Sequence, residues 1–155
     1  MTIPTREVSE YGFEMQLSID CLSHFTLLWL LKDVMVRSLT PDHQSRLVNV
    51  SSSGYQSSEI VCNDFNPGES YDPTVAYGRS KLVHIYHDNY VDRQFGAQGL
   101  DALSFMPGSI IDTNPKQYTS PKIFEAFEKH PVLFKWLERR EQGAATIVLA
   151  ATEKD

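Results

Sequence analysis

The sequence predicts an α/β fold in which parallel strands alternate with helices. Apolar residues recur at helical spacing in two long segments, and two short, nearly continuous apolar segments have the composition of buried strands. Their order supports the same prediction, since helix, strand, loop, helix, strand and further helices follow one another along the chain. The 155 residues suit a single domain, which we expect to cover residues 1–155.

The first predicted helix covers about residues 10–38. Its apolar residues fall near helical spacing and predict one buried stripe: Phe13, Leu17, Cys21, Phe25, Leu28 and Leu31. Residues 46–50 follow as a strand, and their continuous apolar character favours a parallel strand covered on both faces. The polar residues 55–72 form a predicted long loop, and loops of this length are often functional where they border a site.

The second long helix is predicted from Pro73 to about Phe95. Asp72 is a suitable N-cap, and proline is well tolerated in the first turn that follows it. Residues 100–106 form the second predicted strand, and helical segments are expected at about 121–140 and from about residue 141 onwards. Two strands are few for such a sheet: further strands would be expected at one edge, and the sequence offers none, which suggests that part of the fold is missing.

Composition argues against several classes of partner. The net charge is −6, and no basic run is longer than Arg139 and Arg140, so neither a nucleic-acid surface nor a polybasic membrane patch is expected. The longest apolar run, residues 22–31, is too short to span a bilayer. Residues 1–14 lack the apolar core of a signal peptide, and we expect a cytoplasmic location.

The sequence predicts no metal site. Cys21 and Cys62 lack the spacing of zinc ligands and are expected to be free thiols. His84 and His87 could share one helix face, but no third ligand accompanies them.

A candidate acid–base pair lies on the second long helix. Tyr77 and Lys81 are four residues apart and therefore share a face. A Lys ammonium stabilises a nearby phenolate, which makes Tyr a general acid or base. Ser52 follows the first strand at the carboxyl edge, where ligands of open α/β sheets bind. A Tyr and a Lys at this spacing also occur on ordinary helix surfaces, so these residues alone leave the function open.

Four segments together resemble the short-chain dehydrogenase/reductase family. Residues 46–53 (Arg-Leu-Val-Asn-Val-Ser-Ser-Ser) resemble its fifth strand, and residues 76–82 (Ala-Tyr-Gly-Arg-Ser-Lys-Leu) resemble its active-site helix. Residues 105–110 (Phe-Met-Pro-Gly-Ser-Ile) are similar to the Pro-Gly motif after the sixth strand. Residues 141–146 look like the closing helix of the subgroup that contains retinol dehydrogenases and the WW-domain-containing oxidoreductase.

The resemblance implies an oxidoreductase that interconverts a carbonyl and an alcohol with a nicotinamide cofactor. Ser52, Tyr77 and Lys81 would be its catalytic residues, with Tyr77 as the general acid and base. Tyr77 and Lys81 would also bind the cofactor, together with Ile110 at the nicotinamide and Thr113 near the phosphates. NADP is the expected cofactor, with NAD the less favoured alternative. The expected substrate is a small lipophilic molecule or a secondary metabolite, bound against residues 55–72 and 114–140.

The chain also departs from the family pattern. It contains no Thr-Gly-xxx-Gly-x-Gly turn to receive the cofactor pyrophosphate, and no Asn-Asn-Ala-Gly segment. The expected fold is therefore the C-terminal portion of a Rossmann-like doubly wound parallel sheet, with the first strands and the Gly-rich loop missing. Asp20 stands where relatives carry an Asn near the active-site Lys, so it could pair with Lys81.

Two further expectations follow from these departures. Helices 10–38 and 73–95, which form a dimer interface in the family, are expected to support a homo- or hetero-oligomer. The alternative to an active enzyme is a catalytically inactive remnant or pseudoenzyme that acts by binding a partner. A purely structural α/β module would leave the matching segments unexplained.

Overall fold

A computed structural model describes residues 3–40, 42–66, 68, 70–110, 125, 129 and 137–153. Its helices are α1 (Met15–Leu17), α2 (Ser23–Arg37), α3 (Pro73–Phe95) and α4 (Arg140–Thr152). A π-helical turn (Ser18–Leu22) joins α1 to α2, and short 3₁₀ turns cover Ser53–Ser57, Cys62–Asp64 and Gly96–Gln98. The strands are β1 (Ser45–Val50), β2 (Leu100–Phe105), β3 (Ser109–Ile110) and β4 (Leu137–Glu138).

The first helical segment begins later than the apolar pattern predicts. Residues 8–14 fold back on themselves, with an antiparallel bridge between Val8 and Glu14. Glu14 then caps α1, because its two carboxylate oxygens accept hydrogen bonds from the backbone N–H groups of Gln16 and Leu17, each at 2.8 Å. The helix therefore starts at Met15 and not near residue 10.

The central sheet confirms the predicted parallel pairing. β1 and β2 run parallel in a register from Ser45 opposite Leu100 to Val50 opposite Phe105. α3 connects the two strands and packs against both, while α2 and α4 also contact β1. This is the β-α-β arrangement in which the carboxyl ends of both strands meet at one edge.

α3 begins and ends where the sequence predicts. The Asp72 carboxylate accepts hydrogen bonds from the N–H groups of Thr74 (2.8 Å) and Val75 (2.9 Å). Beyond the 3₁₀ turn, Gly99 adopts a positive φ of 83°. A Cβ atom at this position would lie 2.7 Å from Leu39 Cδ1, so glycine allows the chain to enter β2 directly beneath Leu39.

A small apolar core lies between the helices and the β1–β2 pair. Leu28, Val91 and Leu100 are its buried centre, and partly buried residues pack around them: Met35, Val36, Leu47, Phe95 and Ala102. Many apolar side chains of α2 are instead exposed: Phe25, Leu27, Trp29, Leu30, Leu31 and Val34. In the described part of the chain, no helix combines the length and the apolar character needed to cross a membrane.

The predicted helical region at 121–140 needs a correction. Most of it lies outside the described residues, although Glu125 and Lys129 are helical. Leu137 and Glu138 form β4 and pair in parallel with Ser109 and Ile110 of β3. The helix prediction is wrong for Leu137 and Glu138, since pairing with a distant strand outweighs local propensity there.

Candidate active site

Ser52 lies at the carboxyl end of β1, as the sequence predicts. The backbone N–H of Ser51 continues the ladder to the carbonyl of Phe105 at 2.8 Å, and pairing ends there. Ser52 then caps the first 3₁₀ turn, since its hydroxyl oxygen accepts the N–H of Gly54 at 3.2 Å. The Ser52 side chain remains partly exposed at the edge of the sheet.

Gly54 brings Ser52 and Tyr77 together. A Cβ atom at position 54 would lie 3.0 Å from Tyr77 Cε1 and 3.5 Å from the Ser52 hydroxyl oxygen. The backbone of Gly54 therefore lies between the Ser52 hydroxyl and the Tyr77 ring, in contact with both. These two predicted site residues share one location, although they are 25 positions apart in the sequence.

The first turns of α3 are docked closely against this segment. A Cβ atom at Gly78 would collide with the Gly54 carbonyl oxygen and would lie 2.5 Å from the Ser58 hydroxyl oxygen. The Ser58 hydroxyl donates to the Val75 carbonyl at 2.7 Å. Because the helix and the turn touch through backbone atoms, the position of Tyr77 relative to Ser52 is fixed.

Lys81 completes the group and has a charged partner. Its ammonium nitrogen lies 5.6 Å from the centre of the Tyr77 ring, so the two side chains share a face as predicted. The same nitrogen lies 3.4 Å from Asp20 Oδ2. The pairing of Asp20 with Lys81 that the sequence suggested is therefore present, and it places Asp20 beside the candidate site.

Two ionisable groups near Lys81, the Cys21 thiol and the His84 imidazole, have strongly shifted pKa values. Burial, reinforced by the charge of Asp20, raises the pKa of the Cys21 thiol from 9.0 to about 12. Burial, reinforced by the charge of Lys81, lowers the pKa of His84 from 6.5 to about 4. Both groups are therefore uncharged near pH 7.

One buried pair close to this region was not predicted. Asn49 of β1 donates from Nδ2 to Asp88 Oδ1 of α3 at 2.5 Å. Burial raises the pKa of Asp88 from 3.8 to about 7, and this hydrogen bond only partly opposes the shift. The sequence signal was Asn49, a polar residue within the apolar part of strand β1, but this signal alone does not identify Asp88 as its partner.

The segment after β2 leaves the same edge of the sheet as Ser52. Phe105 pairs with Val50. The residues that follow Phe105 line a crevice of about 700 Å³ together with β4 and α4: Met106, Pro107, Gly108, Glu138, Gln142, Ala145 and Thr146. Ile110 lies in β3, and its side chain packs against Gly143. Thr113 lies outside the described residues, as does most of the predicted substrate segment 114–140.

Within the described residues, no group of three or more His, Cys, Asp or Glu side chains could hold a metal ion. The polar groups that the structure places at the edge of the sheet include a hydroxyl (Ser52), a phenol (Tyr77) and an ammonium ion (Lys81). Parallel strands joined through α3, with these groups at their carboxyl ends, define the C-terminal part of a Rossmann-like fold.

Comparison with known proteins identifies the family. No family model matches the chain. The short-chain dehydrogenase/reductase prx1 of Penicillium roqueforti is 38% identical over 144 residues, which cover 93% of this chain and 42% of the relative. The oxidoreductase calI of Penicillium decumbens is 41% identical over 157 residues, covering 98% of this chain and 45% of the relative. Retinol dehydrogenase 14 of Mus musculus is 29% identical, covering 95% and 42%.

A solved structure shows the same fold. The angucycline C-6 ketoreductase LanV with bound NADP superposes with a TM-score of 0.66 and 19% identity, over 99% of this chain and 53% of that one. The chain belongs to the short-chain dehydrogenase/reductase family. It spans less than half the length of the three curated relatives and matches the C-terminal part of the family fold.

Proposed function

We propose that this chain carries the acid–base part of an oxidoreductase site that interconverts a carbonyl and an alcohol. The observation that carries the proposal is the meeting of Ser52, Tyr77 and Lys81 at the carboxyl end of β1. The family membership supports the reaction class.

Each of the three residues has a role that suits its position. In the reductive direction Tyr77 donates its phenolic proton to the oxygen of the former carbonyl, and in the oxidative direction it removes that proton from the alcohol. Ser52 donates a hydrogen bond to the same oxygen and orients it beside Tyr77. Lys81 supplies positive charge next to the ring, which favours the phenolate.

The described residues fit the nicotinamide end of a dinucleotide cofactor. Lys81 and Tyr77 offer an ammonium ion and a hydroxyl to ribose oxygens, and the crevice along Met106–Gly108 opens at the same edge. We propose Ile110 and Thr113 as further cofactor contacts. When bound, the nicotinamide supplies or accepts the hydride. We favour NADP over NAD, and LanV, which shares the fold, was solved with NADP.

The proposed substrate is a small lipophilic carbonyl compound or alcohol, and secondary metabolites that carry such a group belong to this class. The retinol dehydrogenase among the relatives, and a human polyprenol dehydrogenase that is 30% identical, are named for lipophilic alcohols.

Cofactor binding by the 155-residue chain tests the proposal. We expect NADPH fluorescence to show saturable binding, and Lys81→Ala to weaken it about tenfold or more, since hydrogen bonds involving charged groups contribute about 1.5–3 kcal/mol. Lys32→Ala is the matched control, because Lys32 pairs with Asp33 on α2, away from the site. A folded chain without saturable binding at millimolar NADPH would argue against a stand-alone enzyme.

A second candidate function is binding to a partner without catalysis. The exposed apolar side chains of α2, together with Tyr86 and Tyr90 of α3, support it. Phe25, Trp29, Tyr86 and Tyr90 line one apolar groove between the two helices. We propose that α2 and α3 form an interface with another copy or another protein, and this interface is compatible with either function.

A further inference from the structure

We propose that Asp20 is a positioning residue that holds the Lys81 ammonium and offsets part of its charge at the Tyr77 ring. The consequence for proton transfer rests on the proposed function. The contact itself does not, because it lies between two residues of this chain whatever reaction they serve. The carboxylate and the ammonium are separated by 3.4 Å.

The π-helical turn places Asp20 opposite Lys81. Ser18–Leu22 packs against α3, and two consecutive residues of this turn reach the same turn of that helix. Asp20 Oδ2 faces Lys81 Nζ, while the Cys21 thiol donates to the Ser80 carbonyl at 3.4 Å. The wider π-helical turn lets adjacent residues face one neighbour, and such turns are frequent at functional sites.

Ser80 holds the Asp20 carboxylate in place. Its hydroxyl lies 3.0 Å from Asp20 Oδ2 and 2.8 Å from the Tyr77 carbonyl oxygen, and it can donate its proton to either acceptor. Ser80 is almost fully buried, with 1% of its surface exposed. The carboxylate is therefore oriented from α3 itself, beside the ammonium it faces.

The Asp20–Lys81 pair is partly shielded from solvent, which strengthens the attraction between its charges. The Lys81 side chain is 13% exposed and the Asp20 side chain 26%, whereas the Asp33 side chain of the Lys32–Asp33 pair on α2 is 75% exposed. Coulomb energy between partly buried charges is larger than between charges in bulk water, and exposed pairs contribute little. The Asp20–Lys81 contact is therefore the more shielded of the two, although the Lys32–Asp33 contact is shorter, at 2.6 Å.

Other titratable groups near Lys81 do not compete for the ammonium. Cys21 and His84 are neutral near pH 7, for the reasons given by their shifted pKa values. The Glu14 carboxylate is engaged by the N–H groups of Gln16 and Leu17 at the start of α1. Of the anions that the structure describes, Asp20 is the one in contact with Lys81.

The charge of Asp20 has a specific consequence for Tyr77. A positive charge beside the ring stabilises the phenolate, and a carboxylate beside that charge cancels part of the effect. An amide of the same size would still hold the Lys81 ammonium by a hydrogen bond, but would cancel none of its charge. Asp20 therefore leaves less net positive charge beside the Tyr77 ring than an Asn at position 20 would leave.

Trace acylation of lysines with acetic anhydride, read by mass spectrometry, tests the contact without turnover. Acylation requires the neutral amine, and a neighbouring carboxylate favours the charged ammonium instead. We therefore expect Asp20→Asn to raise the labelling rate of Lys81 on the order of tenfold, as for removal of an opposite charge at about 4–6 Å. Asp20→Glu keeps the charge and should restore labelling to near the wild-type rate. Asp33→Asn is the matched control at a pair whose carboxylate is exposed, and it should change the labelling of Lys32 by less than about twofold.

Folding of each variant is checked by circular dichroism, and Asp20→Ser replaces Asp20→Asn should the amide disturb the fold. Unchanged Lys81 labelling in a folded neutral variant overturns the proposal. In chains that turn over substrate, Asp20→Asn should extend alcohol oxidation, which needs the phenolate, to lower pH. A chain with no turnover overturns the proposed function alone, since the labelling result stands independently.

Discussion

At the scale of single residues, the site shows how burial and charge adjust ordinary side chains. Lys81 lies between a phenol ring and a carboxylate, and the adjoining Cys21 and His84 are neutral because they are buried. Among the residues that the structure describes, Asp88, unlike Asp20, has no cation beside it. One of its carboxyl oxygens accepts a hydrogen bond from Asn49, and the other is buried without a hydrogen-bond partner in this part of the chain. The charged form of Asp88 is therefore unfavourable in the folded chain.

The raised pKa of Asp88 predicts a pH-dependent stability. Because the pKa is about 7 in the folded chain against 3.8 ordinarily, the stability contributed by the protonated carboxyl is fully present below pH 3.8 and is lost as the pH rises towards 7. We expect Asp88→Asn to be more stable than the wild type at pH 8, on the order of a few kcal/mol, with the difference shrinking towards pH 4.

Urea unfolding between pH 4 and pH 8 measures this difference. Asp92→Asn is the control, because Asp92 is exposed on the same helix. His84 has a lowered pKa and contributes the opposite trend, being destabilising as the pH falls from 6.5 towards 4, but it is present in both proteins and cancels. A difference between Asp88→Asn and wild type that does not vary with pH would contradict the assignment.

At the scale of elements, the long helices and the strand pair were predictable from sequence. Asp72 and Pro73 fixed the start of α3, and continuous apolar residues located β1 and β2, whose parallel pairing is confirmed. The π-helical turn was not predictable, since Ser18–Leu22 continues the same helical spacing of apolar residues. β4 was also missed, because its pairing depends on a strand 28 positions earlier in the chain.

The contact between α3 and the turn after β1 yields a second prediction. Gly78→Ala introduces a Cβ atom against the Gly54 carbonyl and the Ser58 hydroxyl, so one of the elements must shift. We expect a loss of stability of about 1–3 kcal/mol, as for overpacked sites, and weaker NADPH binding because Tyr77 moves from Ser52.

Gly96→Ala is the matched control at the other end of α3. Its added Cβ would lie 3.4 Å from the Asp92 carboxylate, which is ordinary contact, and its φ of −57° suits alanine. Thermal unfolding and NADPH titration of both variants measure the effect. Equal behaviour of the two alanine variants would show that the close approach at Gly78 does not fix the site.

At the scale of the whole molecule, the described chain has a small core and a broad apolar surface. Three buried side chains, Leu28, Val91 and Leu100, form the centre of the core, while six apolar residues of α2 are exposed. The residues of the candidate site could be proposed from the sequence because they lie within short motifs that follow β1 and begin α3. Their contact through Gly54 required the folded arrangement, whereas the pairing of Asp20 with Lys81 was suggested by the sequence and is confirmed.

The exposed apolar surface predicts self-association or partner binding through α2 and α3. If α2 forms the interface, Leu30→Glu, at a position that is 74% exposed, should shift the sedimentation coefficient of the chain towards that of a monomer. Tyr11→Glu is the control, because Tyr11 is 78% exposed but lies outside the two helices. Equal sedimentation of wild type and Leu30→Glu would exclude a self-association that depends on this face of α2.

The most direct test of the central claim is turnover by the folded 155-residue chain with Tyr77 intact or replaced. NADPH oxidation is followed at increasing concentrations of a lipophilic aldehyde or ketone, for wild type, Tyr77→Phe and the control Tyr86→Phe, which alters an exposed tyrosine of the same helix. We predict turnover by wild type and Tyr86→Phe, and a kcat lower by about 10²–10⁴ in Tyr77→Phe, the usual contribution of a general acid. Turnover by Tyr77→Phe equal to that of the wild type, or none by the folded wild type, would contradict Tyr77 as the acid–base residue of an active enzyme.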